Sequence, residues 1–134
     1  MEKVILESPY KGDKINMKIN EIYGEFCLHD MIVNHKESPY ASHLLLTRPN
    51  VLRDWIPEER KLGIIAGFEW RKNADRTAFY CDLGMTNGME KGIKDVNKKG
   101  GRYDIRWLTD SLWESFEKAV DALGYQVPKR VMKI

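Results

Sequence analysis

The chain predicts an α/β sandwich around a mainly parallel sheet of four or five strands, joined by right-handed crossovers. Three observations carry that reading. Short apolar runs such as "KVILE" and "RTAFYC" are bounded by turn residues, longer stretches repeat apolar residues every three or four positions, and the two kinds of segment alternate along the chain. At 134 residues there is room for one domain with a sizeable core, covering residues 1–134.

The first strand covers 3–7 and ends near Ser8, before Pro9. In the first helix, over 16–34, Ile19, Ile22, Tyr23 and Phe26 mark one buried face. The run Leu44, Leu45, Leu46 inside "SPYASHLLLT" predicts a second strand or extended segment. A second helix starts at Pro57, a residue suited to the first helical position, with Glu58 and Glu59 complementing the dipole; Leu62, Ile65 and Phe68 form its apolar face. A third strand follows at 77–81, and Gly84, Gly88 and Gly92 punctuate a turn and the start of a third helix. In "RYDIRWL" the alternation of Tyr103, Ile105 and Trp107 with charged residues predicts an edge strand with one wetter face. The last helix is capped by Thr109, carries Leu112, Phe116, Val120 and Leu123, and stops at Gly124; 124–134 is a short extra strand or a loose tail.

Composition narrows the function. A net charge of +2 gives no footprint for a nucleic-acid polymer, and no apolar run reaches the length of a membrane span. Cys27 and Cys81 lack metal-ligand spacing, so free buried thiols in a reducing cytoplasm are expected, with no metal.

In a parallel α/β sheet, ligands bind beyond the carboxyl ends of the strands. That rule singles out "SPYKGD", "DLGMTNGMEKG" and "SPYASH". In the first, which leads into a helix N-terminus suited to an anion such as phosphate, Ser8 and Tyr10 offer hydroxyls, and Asp13 either a sugar-binding carboxylate or a plain helix cap. In the second, Asp82 and Glu90 form either an acid/base and nucleophile pair, as glycosidic chemistry needs, or a turn starter and a solvated first-turn residue. Thr86, Asn87, Gly88 and Met89 lie between them. In the third, Ser42 and His43 reach the same rim, where His43 is a structural hydrogen-bonder or a catalyst. In "PEER", Glu59 or Arg60 could face the cleft. "ESPY" occurs twice, at 7–10 and 37–40, followed by different sequences, so the two are not a repeat.

"SPYKGD", "SPYASHLLLT", "IPEERKLGIIAGFEW" and "YCDLGMTNGMEKGI", in this order from Val4 to Leu108, resemble small phage and bacterial proteins related to the nucleoside 2-deoxyribosyltransferases. The resemblance implies a flavodoxin- or Rossmann-like three-layer sandwich and no cofactor. It also implies a homodimer or larger homo-oligomer that completes the pocket, and a nucleoside or nucleotide ligand whose N-glycosidic bond is cleaved or exchanged. It casts Ser8 and Tyr10 as pocket lining, Gly12 and Asp13 as neighbours of sugar or phosphate, and Asp82 as the residue that handles the base. Glu90 in "GMEKG" becomes the nucleophile. Closer relatives with "SPY" and "PEER" commonly carry the glutamate in the pattern G-M-x-x-E, where this chain has Gly92. Losing a covalent nucleophile costs orders of magnitude in rate, so the second register implies either a nucleotide binder that sequesters its ligand or an enzyme using another carboxylate, such as Asp82 or Asp13.

Overall fold

In a computed structural model, described over residues 1–133, four parallel strands lie in the order β2-β1-β3-β4. The strands are β1 (Lys3–Glu7), β2 (Ser38–Tyr40), β3 (Arg76–Tyr80) and β4 (Tyr103–Arg106). The helices are α1 (Lys14–Val33), α2 (Ser42–Leu45), α3 (Pro57–Arg71), α4 (Asn87–Lys98) and α5 (Asp110–Ala122). The strand pairings run Lys3 to Ser38, Glu7 to Phe79 and Tyr80 to Arg106. The order reverses between β1 and β3, and that switch point opens the crevice where ligands collect in this topology. The expected α/β sandwich is therefore present, with every strand pair parallel.

Strand alternation sorts the core into two faces. Val4, Leu6, Ala78 and Tyr80 face α1 and α5, meeting Tyr23, Cys27, Met31, Phe116 and Val120 in one buried cluster. Phe79 and Cys81 face the other way and pack on Met89 and Val96 of α4, with Tyr103 and Ile105 of β4 alongside. Asp13 caps α1 by accepting from Asn16 N at 2.8 Å, and Thr109 caps α5 by accepting from Leu112 N at 3.2 Å. Gly124, at φ +77°, ends the α5 segment as expected. Both cysteines are free and buried. Among the described residues, no helix is long and apolar enough to cross a membrane.

Three expectations are corrected. The second strand comes earlier than "HLLL": Ser38-Pro39-Tyr40 pairs with β1, and Ser42–Leu45 forms one helical turn. A proline suits that position because β2 is an edge strand. Leu44 is drawn into a helical turn by α1, where Gly24 leaves room for it; a Cβ on Gly24 would stand 2.6 Å from Leu44 Cδ1. The second correction concerns α3, which buries no residue at all. Leu62, Ile65 and Phe68 remain 61%, 47% and 43% exposed. Their periodicity marks an amphipathic helix but does not supply a surface to cover it.

Thirdly, of the expected tail 124–134, residue 134 lies outside the described residues and 124–133 is neither a strand nor loose. Tyr125 and Val127 pack on the main core. Arg130 is half-buried against the acid that follows β3, and Val131 is held on both sides: its N donates to Asp82 O at 2.6 Å and its O accepts from Trp107 Nε1 at 2.8 Å.

Candidate functional site

Ile5 and Glu7 point to the face opposite Val4 and Leu6, toward α3 and α4. Because α3 stands off the sheet, a cleft of about 870 Å³ opens there. Glu7, Ser8, Tyr10 and Lys11 line it from the end of β1. Tyr40, Ser42 and His43 enter from the second "SPY" segment, and Arg60, Gly67, Phe68 and Arg71 from α3. The start of α4 supplies Thr86, Asn87, Gly88 and Met89, followed on the same helix by Lys91, Gly92 and Asp95.

The two "SPY" loops meet directly. Ser8 Oγ lies 2.8 Å from His43 Nε2, with the donor set by the imidazole tautomer. The Tyr10 ring stands edge-on to His43 at 6.2 Å. Burial, helped by the positive charge of Arg48, lowers the His43 pKa to about 4, so the ring is neutral at physiological pH. The pair can orient a ligand hydroxyl or accept its proton.

At the α4 end, Thr86 caps the helix by accepting from Met89 N at 3.2 Å. The N–H groups of Asn87 and Gly88, in the first turn, have no intrahelical acceptor, and both residues line the same cleft as Lys91. Gly92 is a packing residue: a Cβ there would meet the Phe79 ring at 3.1 Å.

Deeper in, Glu7 and Arg71 form an ion pair, and the other arm of Arg71 reaches Asp95 Oδ2 at 3.3 Å. Burial pushes the Glu7 carboxyl above the ordinary carboxylate range, and the Arg71 charge and hydrogen bond pull against that rise.

Eight of the predicted site residues therefore line one cleft: Ser8, Tyr10, Ser42, His43, Thr86, Asn87, Gly88 and Met89. Four do not. Gly12 and Asp13 belong to the α1 start, where Asp13 is the cap and a Cβ on Gly12 would crowd Asn16 at 2.8 Å. Asp82 is fully buried on the α1/α5 side and is consumed by structure. It accepts from Tyr23 Oη at 2.5 Å, Leu108 N at 3.0 Å and Arg130 Nε at 2.9 Å. Glu90 is exposed. It lies roughly 200° around the helix from Gly88, whereas Gly92 and Asp95 share the Gly88 side. The candidate catalytic pair is thus not assembled in this cleft. Of the "PEER" residues, Arg60 faces the cleft while Glu59 holds Arg53 N at 2.9 Å.

Glu7, Arg71 and Asp95 were not anticipated. One signal was present for Glu7: it ends β1 in phase with Ile5, on the face opposite the apolar Val4 and Leu6. Arg71 and Asp95 lie 64 and 88 positions further on, and nothing local pairs them with it.

Residues 2–106 match a family described as a domain of unknown function, DUF7768. The chain belongs to that family. The DUF7768 stretch contains every cleft residue named above but excludes α5 and Arg130. No curated protein and no solved structure matches the chain.

Proposed function

We propose that this protein binds a nucleotide in the β1/β3 crevice and holds it intact, sequestering it or tuning nucleotide metabolism. The observation that carries this reading is the composition of the cleft. Its rim joins the start of α4 to Lys11, Arg60 and Lys91, a setting suited to a phosphate, while Asp82 and Glu90 both stay outside. Tyr10, Tyr40 and Phe68 add the aromatic surface that a base and sugar need. The resemblance of the loops to nucleoside 2-deoxyribosyltransferase relatives points to the same ligand class. A reducing cytoplasm suits the two free, buried thiols.

A second reading, N-glycosidic cleavage or deoxyribosyl transfer, is favoured by the position of "GMEKG" at the helix that borders the cleft. One incubation separates the two. The purified protein is mixed with nucleosides and their 5′-monophosphates, binding is followed by calorimetry, and the products are resolved by chromatography. Saturable binding with the ligand recovered intact is expected. Free base released by the wild type and lost in Glu90→Ala would instead establish the second reading, and no binding by any ligand would sink both.

Self-association belongs to the same proposal. The helix that walls the cleft leaves Leu62, Ile65 and Trp70 exposed, and a second copy of the chain laid across it would bury them and narrow the opening.

A further inference from the structure

The cleft is bipolar. Its rim cations, Lys11, Arg60 and Lys91, are exposed, whereas Glu7, Arg71 and Asp95 lie half-buried, their side chains 23%, 14% and 27% accessible. In that inner group Glu7 Oε1 accepts from Arg71 Nη2, and Asp95 holds both Arg71 and Lys99. Glu7 Oε2 has no hydrogen-bond partner among the described residues. Ile5, Tyr40 and Phe68 line the same space with largely apolar surface. That oxygen stays accessible from the cleft and is free to accept an N–H or O–H from a ligand seated there. Arg71 is already engaged by Glu7 and Asp95, so a phosphate placed there would meet two carboxylates around a cation that is taken, and the orientation with the phosphate at the rim and the base inward is favoured.

Resting on the nucleotide reading above, we propose that Glu7 selects the base: its free oxygen accepts a hydrogen bond from an exocyclic amino group. Adenine, guanine and cytosine carry that group. Uracil and thymine present a single ring N–H flanked by two carbonyl oxygens, which face the carboxylate with like partial charge. A site built around a specific hydrogen bond rejects the analogue that cannot make it, because its own polar group is then left unpaired. The selecting contact is Glu7 Oε2; Arg71 acts through Glu7 by fixing the other oxygen.

The test is calorimetric titration of the full chain with AMP, GMP, CMP, UMP and dTMP at pH 7.5. The tightest amine-bearing nucleotide is expected to bind at least about tenfold more tightly than UMP and dTMP, one hydrogen bond to a charged acceptor. In Glu7→Gln the gap is expected to shrink below about threefold, since the new amide can donate to the uracil carbonyl. A merely structural role would weaken all five ligands alike. Equal affinities in the wild type, tighter UMP binding, or an unchanged gap in Glu7→Gln overturns the assignment while leaving the nucleotide reading standing. Failure of all five to bind overturns that reading and this one together. If Glu7→Gln does not fold, Glu7→Asp, which keeps the charge and shortens its reach, takes its place, with the same narrowing of the gap expected and an unchanged gap again overturning the assignment.

Discussion

The two "ESPY" stretches carry identical letters and do opposite things. The first ends a strand, with Glu7 the last residue of β1; the second begins one, with Glu37 just before β2. In a parallel sheet those are opposite ends of the molecule. Glu7 therefore opens onto the cleft, with one oxygen unpaired among the described residues. Glu37 is 6% exposed at the sealed side, where both its oxygens accept from Arg106 at 2.7 Å. Arg106 is held in turn by Asp104 at 2.8 Å. The same acid is a candidate recognition group in one place and a buried structural ion in the other. What distinguishes them is whether the chain enters or leaves the strand.

The sharpest way to break this comparison is to truncate both acids. Glu37→Ala leaves the Arg106 guanidinium buried with Asp104 as its one acidic partner among the described residues, and should cost roughly 3 kcal/mol of unfolding free energy. Glu7→Ala should cost about 1 kcal/mol, because Arg71 keeps Asp95 and part of its hydration. Urea denaturation of the two variants reads the difference, and equal losses would show that the two sites are equally structural.

Acid should act next most strongly, through His43. Its folded pKa of about 4 lies below the unfolded value near 6.5, so the unfolded chain binds the extra proton first. Stability is therefore fully present above about pH 6.5 and falls as pH drops toward 4. Between pH 7.5 and pH 5 the loss from this one group is about 2 kcal/mol, at about 1.4 kcal/mol per pKa unit. Denaturation curves for wild type and His43→Gln at both pH values isolate it; a variant that keeps the full acid sensitivity would clear His43 of the role.

The smallest effect on stability is expected at α3. Ile65→Lys changes a residue that is already 47% exposed and should move the unfolding free energy by less than about 0.5 kcal/mol. If a second copy covers α3, light scattering should give a mass above the 15.7 kDa of one chain for the wild type and a return to one chain in the variant. A wild type that is monomeric at high concentration would remove self-association from the proposal.

Much of the fold was legible because it is written locally. β1 was bounded from an apolar run and a proline, and α5 from a threonine cap and a glycine stop. "HLLL" was misread because three adjacent leucines satisfy a strand and a helical turn equally, and the arbiter, Gly24, lies in another helix. At the site, the loops were legible from the rule about strand ends. The roles of the acids were not, since Asp82 and Glu7 both close a buried strand and only distant partners separate them. Tyr23 and Arg130 silence Asp82 from 59 and 48 positions away, whereas Glu7 meets a single arginine.

The docking of Arg130 on Asp82 bears on where a working fragment of this protein can be cut. The stretch that defines the DUF7768 match stops at residue 106, yet the acid at the end of its third strand is neutralised by a side chain 24 residues beyond that boundary. Phe116 and Val120, both wholly buried against the sheet, also lie outside. An expression fragment trimmed to the matched residues would strand a charge in the interior and strip one side of the sheet. The matched stretch is therefore shorter than the folding unit, and during synthesis the ion pair with Asp82 cannot close before residue 130 is added.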